Sequence, residues 1–159
     1  MLIEAFKKQK KHLTALILSD GREVLLDNET CSDFCLKPET EITEERLREL
    51  IYDSEYRRAK SRALWYLDRA DCTEKGLYKK LCEAGFNKKT SAAVVARFAE
   101  VGLLDDRRFA ENFAERCKDA NISPRETVRK LYEKGISYDM AKEIVSETET
   151  DEEAQIRAL

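Results

Sequence analysis

The chain has 159 residues, 38% charged and 42% hydrophobic, with a formal net charge of −3. That length holds one ordinary domain or a few stacked small units, and the composition excludes both a disordered tail and a heavy globular core. No run of about 18 apolar residues is present to span a membrane and the N-terminus lacks the apolar core of a signal peptide, so a cytoplasmic protein is expected.

In chain order, Lys7, Lys8, Lys10 and Lys11 form a basic cluster that reads first as a solvated tail, with a helix end or the beginning of a strand as the alternatives. His12 to Leu18 is apolar and partly β-branched, Ser19-Asp20-Gly21-Arg22 has turn chemistry, and Glu23 to Asp27 is a second short run, which together predict a hairpin. Two strands alone are marginal, so a third strand over residues 3 to 8 or a packed helix has to support them. Residues 28 to 36 predict a short helix ended by Pro38. Thr43 followed by Glu44 and Glu45 marks the next helix start, with Leu47, Leu50 and Ile51 on its apolar face. Ser54 either continues or restarts that helix, and Ala59, Ala63, Leu67 and Ala70 carry a helical period onward.

From there one unit is written twice with a shift of fifty residues. Lys80-Leu81-Cys82-Glu83-Ala84-Gly85-Phe86 matches Lys130-Leu131-Tyr132-Glu133-Lys134-Gly135-Ile136, with Thr73 and Ser123 as N-cap candidates and Asn87 and Ser137 two residues past each glycine. Leu77, Tyr78 and Leu81 predict one helix face, and Val94, Val95, Phe98 and Val101 the next. Ser123-Pro124-Arg125-Glu126 combines a capping box with proline at the first helical position, ahead of Val128, Leu131 and Tyr132. Ile144 and Val145 then repeat Val94 and Val95. Between the units, Gly102-Leu103-Leu104 closes one helix, and Asp105 or Asp106 caps another whose face is Phe109, Ala110, Phe113, Ala114 and Cys117. The fold class expected is mainly α, tandem three-helix repeats forming a short solenoid after a small β-hairpin-containing N-terminal region. The boundaries are 1–42 for the β-rich region, 43–58 for a linking helix, 59–104 and 105–150 for the repeats, and 151–159 for the start of an incomplete third.

Charge is unevenly spread. Residues 1–53 carry 8 basic and 12 acidic side chains, 54–110 carry 13 and 8, and 111–159 carry 8 and 12. Arg57, Arg58, Lys60, Arg62, Arg69, Lys79, Lys80, Lys88, Lys89, Arg107 and Arg108 supply the basic middle; projecting to one side, they would form a stripe able to meet phosphates or an acidic protein groove. Trp65, Tyr66 and Tyr78, at helical spacing, read as core. No Gly-rich phosphate loop or H-E-x-x-H is present, and the sole histidine, His12, has no nucleophile to serve, so no catalytic residue and no cofactor is expected. The five cysteines (Cys31, Cys35, Cys72, Cys82, Cys117) show no C-x-x-C pair and read as reduced packing thiols. Cys31 and Cys35, placed i and i+4 on a helix, lack further ligands for zinc. Asp105-Asp106 reads as a cap rather than a metal pair.

The run from Ala63 to Leu67 with Arg69, the Thr73 to Gly85 unit, Gly102-Leu103-Leu104-Asp105-Asp106 with Phe109-Ala110, and Ser123 to Gly135 together resemble the RecX family of bacterial RecA regulators, over roughly residues 59 to 147. The β-rich leader resembles the longer N-terminal region of many Gram-positive members. The resemblance implies a helical solenoid of three-helix repeats, with no catalysis of its own, that docks in the groove of the RecA filament on single-stranded DNA and limits filament growth and recombinase and ATPase activity in DNA repair and the SOS response. The family carries a third repeat, where this sequence has only its opening residues. A monomer is expected, with a weak direct DNA contact at most; the alternative reading is a direct nucleic-acid-binding helical repeat.

Overall fold

The computed structural model describes residues 1–158, with side chains through Thr150. It contains strands β1 (Ile3–Lys10), β2 (Leu13–Leu18) and β3 (Glu23–Asp27), followed by helices α1 (Asn28–Asp33), α2 (Glu44–Arg69), α3 (Glu74–Glu83), α4 (Lys88–Glu100), α5 (Asp106–Asp119), α6 (Pro124–Glu133) and α7 (Tyr138–Ala158). The fold is mainly α with a small antiparallel sheet at its N-terminal end. Contacts divide it into two compact units, 1–62 with 86–94, and 63–85 with 95 onward.

In the first unit the strands form a meander in the order β1-β2-β3, with Phe6 opposite Leu16 and Leu16 opposite Val24. The lysine cluster is therefore no tail: Lys7, Lys8 and Lys10 lie in β1, the third strand that the hairpin required. They are exposed on an edge strand, where lysine discourages pairing with another chain. Ile3, Leu16, Leu18 and Leu26 pack with Ile42, Leu47 and Leu50 into one core, against which Phe6, Cys31 and Phe34 are half-buried. The helix expected over 28–36 stops earlier, because Cys35 takes a left-handed conformation (φ 51°) and Leu36 N–H donates to the Cys31 carbonyl (3.1 Å). Cys35 thus leaves the helix, and the i, i+4 placement with Cys31 does not arise.

Thr43 caps α2 as expected, its hydroxyl accepting from Arg46 N–H (3.1 Å). Ser54 neither breaks nor restarts that helix. It is buried within it and accepts a hydrogen bond from the Asp27 N–H at the end of β3 (2.7 Å), tying sheet to helix.

The second unit holds α3, α5, α6 and α7, with the end of α2 and of α4. Phe109, Ala110, Ala114, Leu131, Ile136, Ala141, Ile144 and Val145 form its core, with Phe113, Val128 and Met140 packed against it. The doubled motif folds as a doubled motif. Leu81 and Leu131 are fully buried, Val94 and Val95 are buried as Ile144 and Val145 are, and Gly85 and Gly135 end their helices at φ 100° and 103°. Several apolar positions expected to line or close helix faces fall outside these cores: Ile51, Val101, Leu103 and Tyr132 are 40%, 51%, 48% and 63% exposed. The third repeat expected at 151–159 meets a continuous α7 backbone as far as Ala158, while its side chains and Leu159 lie outside the described residues.

Candidate partner-binding surface

Local sequence sets the frame. Thr73 Oγ1 accepts from Gly76 N–H (3.0 Å) and Ser123 Oγ from Glu126 N–H (3.2 Å), so both predicted N-caps form. Gly102 takes φ 82° and Leu104 buries itself, completing the predicted stop. The two hinge aspartates then divide the work. Asp105 caps its own helix by accepting from Arg108 N–H (3.1 Å), whereas Asp106 reaches across to accept from Glu74 N–H at the head of α3 (2.9 Å). Two further contacts fix α3 from the same side: Thr73 Oγ1 donates to the Lys134 carbonyl (2.5 Å), and Gly135 lies against the Lys75 side chain. A Cβ on Gly135 would stand 2.8 Å from Lys75 Cβ.

The eleven basic residues are not equivalent. Arg57 is held by Asp53 (2.7 Å), Glu29 (3.1 Å) and Asp33, and is left 28% exposed; the hydrogen bonds to Asp53 and then Asp33 raise its pKa further. Arg107 is likewise surrounded by Glu111 (3.2 Å), Glu143 (3.6 Å) and Glu147 (3.2 Å), the last two chiefly raising its pKa. Both arginines act first inside the chain. Arg58 is half-buried, with its Nε enclosed. Lys79 makes a long exposed pair with Glu83 (3.9 Å), an interaction of little energy. Lys89 lies 6.0 Å from the Tyr52 ring centroid, Lys80 5.5 Å from that of Tyr66, and Arg69 3.9 Å from that of Trp65. Lys60, Arg62, Lys88 and Arg108 are exposed.

Two surface features were invisible in the sequence. Trp65, expected in the core, is 47% exposed beside an exposed Leu64, and only Ala63 of that turn is fully buried. A groove of about 890 Å³ lies between α6 and α7, lined by Pro124, Val128, Tyr132, Tyr138 and Val145, with Arg129 and Lys142 on its rim. The helical period placed Tyr132 on the apolar side of α6, but it could not show that no described element would cover it.

This arrangement of caps, hinge and repeated helices has known counterparts. A family profile described as "RecX, first three-helix domain" matches residues 59–98. The protein named Regulatory protein RecX from Lactococcus lactis subsp. cremoris strain MG1363 is 30% identical over 154 residues, 94% of this chain and 57% of the relative. The chain is thus similar to RecX-family proteins, and its residues 59–98 match that family's first three-helix domain. A second Regulatory protein RecX, from Clostridioides difficile strain 630, is 28% identical over 155 residues, covering 96% of the chain and 73% of the relative. The chain thus spans little more than half the length of the Lactococcus protein. Among solved structures, one titled "Crystal structure of regulatory protein RecX" superposes with a TM-score of 0.66 over 92% of this chain and 73% of its own, at 20% identity. That last likeness is one of fold. Its coverage includes the sheet-bearing first unit, beyond the residues that the family profile matches. Among the described residues no helix is long and apolar enough to cross a membrane.

Proposed function

We propose that this chain belongs to the RecX family, binds RecA filaments on single-stranded DNA and modulates them, mainly by inhibiting recombinase activity and ATP hydrolysis. The observation that carries the reading is its similarity, over 94% of its length, to a protein named as a regulator. The reading needs no catalytic group: the chain acts in the cytoplasm as a monomeric binding protein, and its contact draws on the basic middle. Within that set the exposed cations Lys60, Lys88 and Arg108 count most, because Arg57 and Arg107 are already neutralised by carboxylates.

The test is RecA's DNA-dependent ATP hydrolysis, followed while the chain is added up to stoichiometric excess over RecA. A progressive fall supports the reading, and an unchanged rate overturns it. Reversing charge at Lys60, Lys88 and Arg108 should weaken inhibition more than a matched reversal at Lys130, Lys134 and Lys142, with helix content checked by circular dichroism. A reversal that included Arg57 would be a poorer probe. It would place an acid among Asp53, Glu29 and Asp33 and disturb the first unit itself.

A further inference from the structure

The sheet order β1-β2-β3 leaves β1 with one side open. Its first residues are covered there: Ile3 N–H donates to the Thr40 carbonyl (2.9 Å), Glu39 N–H donates to the Ile3 carbonyl (2.7 Å), and Leu2 pairs with Glu41. Beyond Ile3 that cover stops. Among the described residues, no backbone group of Ala5 to Lys10 bonds to the backbone of any segment other than β2. The ladder to β2 is regular from Ala5 to Lys8 and shifts register before Lys10, so the open edge is short and ends at the turn that carries Lys11. Along it Lys7, Lys8, Lys10 and Lys11 are all exposed, four cations within five residues. Arg22, Arg57, Arg107 and Arg129 each meet at least two carboxylates, whereas among the described residues no carboxylate pairs with any of these lysines.

We propose that the open edge of β1 takes up an extended, acid-rich segment of another protein as an added strand. Such a strand answers both features at once: its N–H and C=O groups complete the ladder, and its carboxylates lie opposite the lysines. Lysine on an edge opposes indiscriminate pairing and sets like charge against like when a second copy of this edge approaches, so the strand admitted is one of opposite charge. A phosphodiester chain would meet the lysines alone, since its backbone has no N–H with which to complete a ladder. Successive strand residues face opposite sides, which puts Lys7 and Lys8 on the two faces, and acidic residues at consecutive positions are needed to meet both. Glu4, Glu39 and Glu41 at the covered end confine those acids to the Lys8 end. This surface lies outside the basic middle at residues 54–110 and goes beyond the filament reading, because it engages its partner with neither RecA nor DNA present.

The probe is a labelled peptide of consecutive glutamates flanked by threonine, titrated into the full chain at moderate salt and followed by anisotropy. Saturable binding is expected, with amide exchange slowed among Ala5 to Lys10. The same peptide N-methylated at alternate residues keeps its charge but cannot complete the ladder, and should bind about tenfold more weakly. Reversing charge together in Lys7→Glu, Lys8→Glu and Lys10→Glu should weaken the glutamate peptide about tenfold and create binding of its lysine counterpart, a gain that only a folded edge can show. Charge reversal at Lys60, Lys88 and Arg108 should leave the glutamate peptide's affinity largely unchanged, which separates this surface from the one tested with RecA. Equal affinity for the methylated and unmethylated peptides would reduce the edge to bare charge and overturn the proposal. So would protection from exchange that falls outside β1, or a triple variant that binds the glutamate peptide as the wild type does.

Discussion

Helices α3 and α6 are the same ten-residue unit placed in two settings. Each follows a hydroxyl cap, each buries a leucine completely, and each ends on a left-handed glycine. Yet the head of α3 is clasped by Asp106, by the Lys134 carbonyl and by Gly135, whereas the head of α6 lines the open groove that holds Tyr132 and Tyr138. The difference has a chemical signature. Where Glu74 offers its N–H to Asp106, the equivalent residue is Pro124, which has no N–H to give. An aspartate reaching α6 as Asp106 reaches α3 would find no donor, so the repeat does not propagate its own docking contact. Identical local signals thus build identical helices without specifying identical neighbours.

The comparison is most sharply tested at the two glycines. Gly85→Ala places a Cβ in open space and should cost only the left-handed penalty, about 1 kcal/mol. Gly135→Ala adds a Cβ at 2.8 Å from Lys75 and should cost about 3 kcal/mol. Urea midpoints that shift equally for the two would show that α3 and the 134–135 turn do not meet. A smaller contrast is expected at the caps. Thr73→Ala removes both an acceptor for Gly76 and a donor to Lys134 at a buried position, about 2 kcal/mol, against about 1 kcal/mol for Ser123→Ala at its exposed counterpart.

Asp105→Ala and Asp106→Ala should cost alike, about 1 kcal/mol each, but at different places. Amide exchange should quicken at Arg108 N–H in the first variant and at Glu74 N–H in the second, and the reverse assignment would dissolve the proposed division between them. The smallest effect is expected from a surface clamp that resembles neither helix head. Arg22 bonds Asp20 and Glu44, and the hydrogen bonds it makes hold both carboxyls below their usual pKa, Asp20 chiefly through the Arg22 backbone N–H and Glu44 through its guanidinium. Because those folded-state values are lowered, the contribution is complete at neutral pH and is lost as pH falls through them, below about pH 4. Arg22→Gln should flatten acid-induced loss of stability in that range, chiefly through Glu44, and an unaltered acid limb would show the clamp to be solvated.

How much of this was legible in the sequence follows from how far each interaction reaches along the chain. Thr73, Ser123, Gly85, Gly102 and Gly135 act on backbone groups within three or four residues, so their roles in ending and starting helices could be read directly. The fifty-residue repeat and the buried positions Leu81, Leu131, Ile144 and Val145 were legible for the same reason, since a helical period records which side is apolar.

Other features were decided only when distant segments met. Arg57 became a structural ion because Glu29 and Asp33, 28 and 24 residues away, fold against it, and Asp106 serves a helix 32 residues upstream. Trp65 and Tyr132 carry the same apolar mark as their buried neighbours, and the period cannot say whether a neighbour arrives to cover them. The sequence by itself determined the helices, their caps and the repetition, because those are contests among adjacent backbone groups. Tertiary structure alone decided which cations are already satisfied and which aromatic faces stay in water, because charge pairing and burial depend on residues that only folding brings within reach.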